Sequence, residues 1–457
     1  MGATLLGRLR GGVEALRGDG VAAVLARGSL GSFLVRLLAA GAAFGLQIFL
    51  TRLLGPDEFG RYVYVLSWVT FTSQIGVLGF DTASLRFVSA LEARGQWSLL
   101  RGFLRRSLQV TIAASLLGAL LLVTAAWVLR TRLDPRLFSV MLAASCLLPL
   151  VAILQVVVSQ VNGLKKVVAG QGIQGLLRPA VTALVLACGA WLGWHERSAV
   201  AAMLASAAAT AASIGAAGWL LRRLLHERLA GHAPAYDTHA WLRTAFPLLL
   251  ITASQIILSQ TDVLMIGAMR NTTDAGIYAV ASQLASIVTF AIMAANAIVA
   301  PLIASLYAQG HRAELQRLLT MTSRGVLAYA LPVVAGLLLL GRWVLSLYGP
   351  AFGAGYVSLL ILSVGQLTIA LCGSVGFLLT MTGHEQVATK VIGGSAALNV
   401  VLNLLLIPSL GLVGAAIATA IATAARSLIL SIYVDRLLGL DATALGRGGQ
   451  SSKGTRS

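Results

Sequence analysis

Three arginines stand inside long apolar stretches of the chain: Arg36, Arg178 and Arg426. A charged side chain at mid-membrane costs roughly 2.5–3.5 kcal/mol on insertion scales, so three add on the order of 10 kcal/mol unless each meets water, a partner or an anion. Arg178 is the deepest and is followed by Pro179, where a kink can open the backbone toward a cavity. Arg426 lies well into the last stretch, and Arg36 sits near the start of the first, from where it can snorkel to the surface. Capping of broken backbone is the structural alternative for Arg178 and Arg426. One acid answers them: Asp262, with Gln255 and Gln260 in the same stretch. It reads as a salt-bridge partner to an arginine or as the carrier of a coupling proton, the salt bridge being the expectation. Three cations against one anion leave a positive interior. Guanidinium groups bind phosphate oxygens in pairs, so an anionic ligand such as a diphosphate fits the imbalance.

The elements that must position these groups follow from composition. Of 457 residues 58% are hydrophobic and 11% charged, against about 45–50% and about 25% for a soluble domain, so lipid is the solvent. Twelve stretches, the first beginning near Phe33 and the last near Leu412, are long enough to cross it. The expected fold is an all-α integral membrane protein of about twelve transmembrane helices. With Arg36, Arg178 and Arg426 inside spans, 23 of the 34 Lys and Arg fall on the side of the termini and 8 on the other, which predicts cytoplasmic termini. The net charge of +18 is spread in small groups at the ends of apolar stretches, a pattern that suits a membrane surface and not nucleic acid. Cys146, Cys188 and Cys372 are far apart in apolar surroundings and read as small hydrophobes.

Two landmarks repeat. Gly60 and Tyr62 recur as Gly276 and Tyr278, and Gly95 recurs as Gly310, at offsets of 216 and 215 residues. Each repeat holds an even number of spans, so the halves share one orientation and a pseudo-two-fold axis along the membrane normal, with a central cavity as the seam. The predicted organisation is an amphipathic or disordered segment over 1–28, an N-lobe over 29–221, an inter-lobe linker over 222–240, a C-lobe over 241–438 and a disordered cytoplasmic tail over 439–457.

Several chemistries find no residues. No phosphate-cradling G-x-x-x-x-G-K-[ST], H-E-x-x-H, paired-cysteine spacing or G-x-S-x-G is present. Neither a catalytic residue, a cofactor nor a metal ligand is assigned. Asn399 and Asn403, four apart, with Gln283, Asn296 and Gln366, read as interhelical hydrogen-bonding groups. Gly41 and Gly45 form a small-xxx-small pair that suits close helix packing.

The run Thr51-Arg52-Leu53-Leu54-Gly55-Pro56-Asp57-Glu58-Phe59-Gly60-Arg61-Tyr62 resembles the first-loop signature of the polysaccharide-type flippases, in the superfamily that also holds the multidrug and toxin extruders. T-D-V-L-M-I-G with G-I-Y-A-V-A-S-Q-L-A, over Thr261 to Ala285, is similar to that family's seventh and eighth spans, and L-L-T-M-T-G-H-E supplies a third match. The resemblance implies two six-helix lobes and alternating access. It also implies an undecaprenyl-diphosphate-linked oligosaccharide moved from the cytoplasmic to the periplasmic leaflet of a bacterial inner membrane, for O-antigen, capsule or exopolysaccharide synthesis. Membrane lipids and the polysaccharide polymerase or export machinery would be the partners. Arg36, Arg178, Arg426, Gln255 and Gln260 are then candidates for the substrate cavity and Asp262 for ion coupling. Arg52, Gly55, Glu58, Gly60, Tyr62, Gly276 and Tyr278 belong to the signature itself and are expected to be structural. An ion-coupled multidrug antiporter is the alternative within the superfamily. A membrane glycan polymerase or ligase is the remote one, because the short outer loops offer little acid or base chemistry.

Overall fold

A computed structural model describes residues 21–191 and 198–446, and every regular element among them is helical. Residues 1–20 of the expected N-terminal segment and 447–457 of the expected tail lie outside the described residues. Eleven described helices are long and apolar enough to cross a membrane. The first of these, within Val21–Val77, is two helices in tandem, because Gly55 at φ 78° and ψ 173° leaves the helical path. Glycine alone takes that backbone without strain, and the next residue, Pro56, suits the first turn of a new helix. The described residues therefore carry twelve helices of spanning character, as the apolar stretches predict.

We number these α1 (21–54) and α2 (56–77), followed by a short α3 (Phe80–Ala93), α4 (Trp97–Val128), α5 (Pro135–Gly163), α6 (Val167–Trp191) and α7 (Ala199–Leu229). After a connection over 230–237 come α8 (Thr238–Met269), α9 (Thr272–Ser286), α10 (Phe290–Ala308), α11 (Arg312–Ser346), α12 (Tyr356–Cys372), α13 (Val375–Met381), α14 (Glu385–Leu410) and α15 (Leu412–Leu438). The repeat landmarks keep their places: Gly95 and Gly310 both adopt positive φ, at 64° and 73°, just before α4 and α11. In each lobe the segment after the last long helix folds back over these helices. Ala235 N–H donates to the Ser98 carbonyl at 3.0 Å, and the Ser323 hydroxyl donates to the Ala442 carbonyl at 2.6 Å.

The apolar core is divided at one end and joined at the other. At the end carrying the 230–237 connection, one cluster is built on Phe80, Phe103 and Trp241 and a separate one on Leu319, Leu378 and Val434. At the end carrying Gly55, one continuous cluster unites Phe59, Val65 and Leu148 of the first lobe with Ile266, Tyr278 and Phe352 of the second. Two lobes that share a core at one end only form a V. The helix α8 crosses between them, with Trp241 edge-on to Phe103 of the first lobe (centroids 5.3 Å apart) and its last turns in the joint core.

Candidate functional site: a cavity between the lobes

The two lobes enclose a cavity of about 480 Å³ below the joint core. Its wall takes Gln47 from α1, Tyr62 from α2, Arg178 from α6 and Ser206 from α7, and faces Gln260 of α8 and Gln283 of α9. The local structure of α6 explains how Arg178 reaches it. Residues Ile173–Leu177 form a π-helical turn ahead of Arg178 and Pro179. Proline has no N–H to return to the preceding turn, and the widened turn accommodates the loss. Gln174, one turn before Arg178, lines the same cavity. Arg178 is partly buried, and among the described residues no carboxylate or hydrogen-bond acceptor meets its guanidinium. It is the one charged side chain on the described wall.

The other candidates are placed elsewhere. Arg36 is exposed toward the linker end of α1, where the Gln171 side-chain oxygen, with the amide in its bonding orientation, accepts from Nε and Nη2 at 3.2 and 3.0 Å. Arg426 is partly buried on α15 but is not among the residues lining this cavity. Gln255 is exposed and away from the wall, whereas Gln260 is on it. Of the three intramembrane arginines, the cavity therefore gathers one.

Asp262 lies buried within the second lobe, with no arginine or lysine within ion-pair distance among the described residues. Neutral donors take the place of the expected salt bridge. Tyr278 and Thr419 hydroxyls each donate to Oδ2 at 2.5 Å, and Asn403 Nδ2 donates to Oδ1 at 2.7 Å. Asn399 supports the cage, donating to Thr419 at 2.9 Å and accepting from Asn403 at 3.1 Å. The repeat mate of Tyr278 is Tyr62, whose hydroxyl bonds Ser206 at 3.0 Å beside the cavity. The two lobes thus place a tyrosine at corresponding points, one near a lone guanidinium and one on a lone carboxyl.

The signature residues assemble the closed end of the V. Arg52 reaches across the lobes, donating to the Leu347 and Ser346 carbonyls at 2.7 and 3.1 Å. The Thr273 hydroxyl donates to Asp57 at 2.7 Å, and the Phe59 ring meets Phe352 edge-on at 5.8 Å. A Cβ on Gly60 would stand 2.3 Å from the Thr272 carbonyl oxygen, and one on Gly276 would stand 2.8 Å from the Gly60 Cα. Both positions need glycine because backbone meets backbone there. Glu58 ties the first lobe together, pairing with Arg61 at 2.6 Å and accepting from the Ala199 N–H at the start of α7 at 2.8 Å. Reading the residues alone missed Gln47, Gln174 and the Asp57–Thr273 bridge. Gln174 carried a signal, four residues from Arg178 on the same helix face; the bridge carried none.

Paired bundles that share a core at one end and enclose a cavity between them define a two-lobe membrane transporter fold. Solved structures agree. The chain superposes on an inward-facing multidrug resistance MATE family transporter of the MOP superfamily with a TM-score of 0.73, at 12% identity, covering 89% of this chain and 98% of that one. For an outward-facing transporter of that description the TM-score is 0.60, at 13% identity and 94% and 98% coverage, and for a MATE transporter variant of Vibrio cholerae it is 0.58, at 13% identity and 91% and 98% coverage. The chain belongs to the polysaccharide biosynthesis protein family, whose sequence profile matches residues 25–307. An uncharacterized membrane protein of Methanocaldococcus jannaschii is 27% identical over 146 residues, which span 31% of this chain and only 28% of that relative.

Proposed function

We propose that the protein is a flippase for a lipid-linked oligosaccharide, carrying an undecaprenyl-diphosphate-linked glycan from the cytoplasmic to the periplasmic leaflet of a bacterial inner membrane. The observation that carries this reading is Arg178: a guanidinium without a partner among the described residues, on the wall of an inter-lobe cavity that mixes amides and hydroxyls with apolar side chains. A diphosphate supplies the paired oxygens that such a group lacks. Closure at the Gly55 end, with termini on the cytoplasmic side, corresponds to a cavity that loads from the cytoplasm. The superposition favouring the inward-facing relative supports that assignment. Asp262 then serves as the coupling group: a carboxyl held by the Tyr278 and Thr419 hydroxyls and the Asn403 amide, and met by no basic side chain among the described residues, takes up a proton or a small monovalent cation on one face of the transport cycle.

The multidrug relatives raise a second reading, an antiporter for cationic drugs. The described wall bears one positive charge and no acid, a field that repels cations. Reconstituted Arg178→Glu protein, inserted at wild-type abundance, is expected to lose at least about tenfold in flipping of lipid-linked oligosaccharide, since reversing the charge replaces a charge-assisted pairing with repulsion. Flipping at the wild-type rate would refute the assignment. Resistance to cationic drugs conferred on an efflux-deficient host would favour the antiporter.

A further inference from the structure

Both lobes carry arginines on the helix that the returning chain crosses, but the two sets are held differently. In the first lobe the 230–237 connection and the start of α8 bond them: Arg101 Nη1 donates to the His232 carbonyl at 2.6 Å and Arg106 Nε to the Thr238 hydroxyl at 3.1 Å. In the second lobe the returning segment over 439–446 is fixed at its base. The Gln316 amide accepts from the Asp441 N–H at 2.8 Å and donates to the Asp441 carbonyl at 2.5 Å, and Leu440, Ala442 and Ala444 are buried. Between this segment and α11 lies a cavity of about 720 Å³ whose wall carries Arg312, Arg317 and Arg324. Arg324 donates to the Ala444 and Gly446 carbonyls at 3.3 and 3.4 Å, whereas Arg312 and Arg317 meet neither a carboxylate nor a carbonyl among the described residues. Glu314 is the one acid on the described wall, and it faces His311 at 3.8 Å.

The depth of this cavity identifies its surroundings. At the other end of α11 the Arg342 guanidinium stands 5.0 Å from the Tyr356 ring centre, and Trp343 beside it is exposed, as basic and aromatic side chains are at a membrane interface. Arg324 lies about 27 Å from Arg342 along the helix axis, close to the thickness of a hydrocarbon core, about 30 Å. Arg324 is therefore at headgroup level in the opposite leaflet, with Arg317 about two turns and Arg312 about three turns farther toward water. Met321, on the cavity wall, and Leu445, between the two residues that Arg324 bonds, are 68% and 82% exposed. A cationic wall with an apolar rim at this depth suits an anion that carries hydrocarbon chains.

We infer that this cavity binds the phosphate-bearing headgroup of an anionic membrane lipid, in the leaflet at the linker end, which is the cytoplasmic one in the orientation proposed above. Arg317 and Arg324 hold the phosphate oxygens, which guanidinium groups bind in pairs, and Arg312 adds its charge from the water side. Met321 and Leu445 meet the chains. Basic pockets between membrane helices on the cytoplasmic side take lipid headgroups for this reason. Residues 447–457 of the chain match the cavity poorly in charge, bearing Arg447, Lys453 and Arg456 and no acidic side chain. A lipid bound there ties α11 to the segment over 439–446. The site shares no residue with the inter-lobe cavity, so it does not depend on what that cavity carries.

The test uses the full-length protein with Cys146→Ala and Cys188→Ala and a nitroxide label on Met321→Cys, in phosphatidylcholine nanodiscs containing increasing fractions of phosphatidylglycerol. The label is expected to lose mobility as phosphatidylglycerol is added and to keep it when inorganic phosphate is added to discs of phosphatidylcholine alone. Arg312→Gln combined with Arg317→Gln is expected to raise the half-saturating lipid fraction about tenfold or more, because two cations are withdrawn from the phosphate. Both side chains are exposed and bond no other described residue, so the double variant keeps its fold. Arg222→Gln combined with Arg223→Gln removes as much charge at the linker end of α7, away from the cavity, and is expected to shift the fraction by no more than about twofold. Four results would overturn the inference. A label that stays mobile in phosphatidylglycerol leaves the cavity without a lipid, and equal shifts from the two double variants make the attraction diffuse. A label already immobile in phosphatidylcholine alone gives the cavity to the chain's own residues. Immobilisation by inorganic phosphate makes the ligand a soluble anion.

Discussion

At the scale of single residues, Arg178 contrasts with the ion pairs that hold the first lobe together. No carboxylate among the described residues pairs with its guanidinium, whereas Arg61, Glu58 and Asp134 satisfy one another at 2.6 and 3.0 Å. Asp262 is intermediate: fully bonded, but only to neutral groups. Under the proposed mechanism Asp262→Asn preserves volume, and the Tyr278 and Thr419 hydroxyls can rotate to accommodate the new amide. The variant is therefore expected to fold and to lose the response of flipping to imposed sodium or proton gradients, measured in proteoliposomes with each gradient applied in turn. A response of wild-type size would show that Asp262 is a structural node. Thr419→Val, which removes one donor to the carboxyl, is expected to weaken the gradient response without abolishing it, since a hydrogen bond to a charged group contributes about 1.5–3 kcal/mol.

At the scale of elements, the joint between α2 and α9 decides how tightly the lobes close. Gly60 and Gly276 are repeat mates, and they meet each other across the seam. A pseudo-two-fold axis that brings equivalent residues into contact passes between them. Because the atoms facing a new Cβ at Gly60 belong to the Thr272 and Thr273 backbone, no side-chain rotation relieves the clash. Gly60→Ala is expected to destabilise the closed end by about 1–3 kcal/mol, as overpacking does elsewhere. The readout is the distance between spin labels placed on the two lobes at that end, which should lengthen or split into two populations. An unchanged distance distribution would mean that the helices slide past the added methyl without parting. Arg52 acts in the same direction through its bonds to the ends of α11, and Arg52→Ala should give a smaller shift, because an exposed hydrogen bond contributes only about 1 kcal/mol.

For the whole molecule, the proposed mechanism requires the shared core at the Gly55 end to part. Asp57 and Thr273 bond across that end, so replacing both by cysteine allows a disulfide that holds the lobes shut. Flipping is expected to stop on oxidation and recover on reduction, and a cross-linked protein that transports normally would refute the rocking of one lobe against the other. Much of this architecture was legible in the chain itself. Twelve apolar stretches, the helix break at Gly55-Pro56 and the repeat of Gly60-x-Tyr62 at Gly276-x-Tyr278 are local properties, set by hydrophobic length and by backbone conformations that few residues adopt. The rotation of each helix about its axis is not local, because an apolar stretch bounded by lipid on one side and protein on the other shows little periodic contrast to orient it. Hence the residues alone ranked Arg178 ahead of Arg36 and Arg426 by depth and by Pro179 but kept all three as cavity candidates, and only the packed lobes set Arg178 alone on the cavity wall. Likewise Asp262 finds Asn403 and Thr419 at 141 and 157 residues' distance along the chain, a pairing that follows from how α8, α14 and α15 lie against one another and from no feature of their separate sequences.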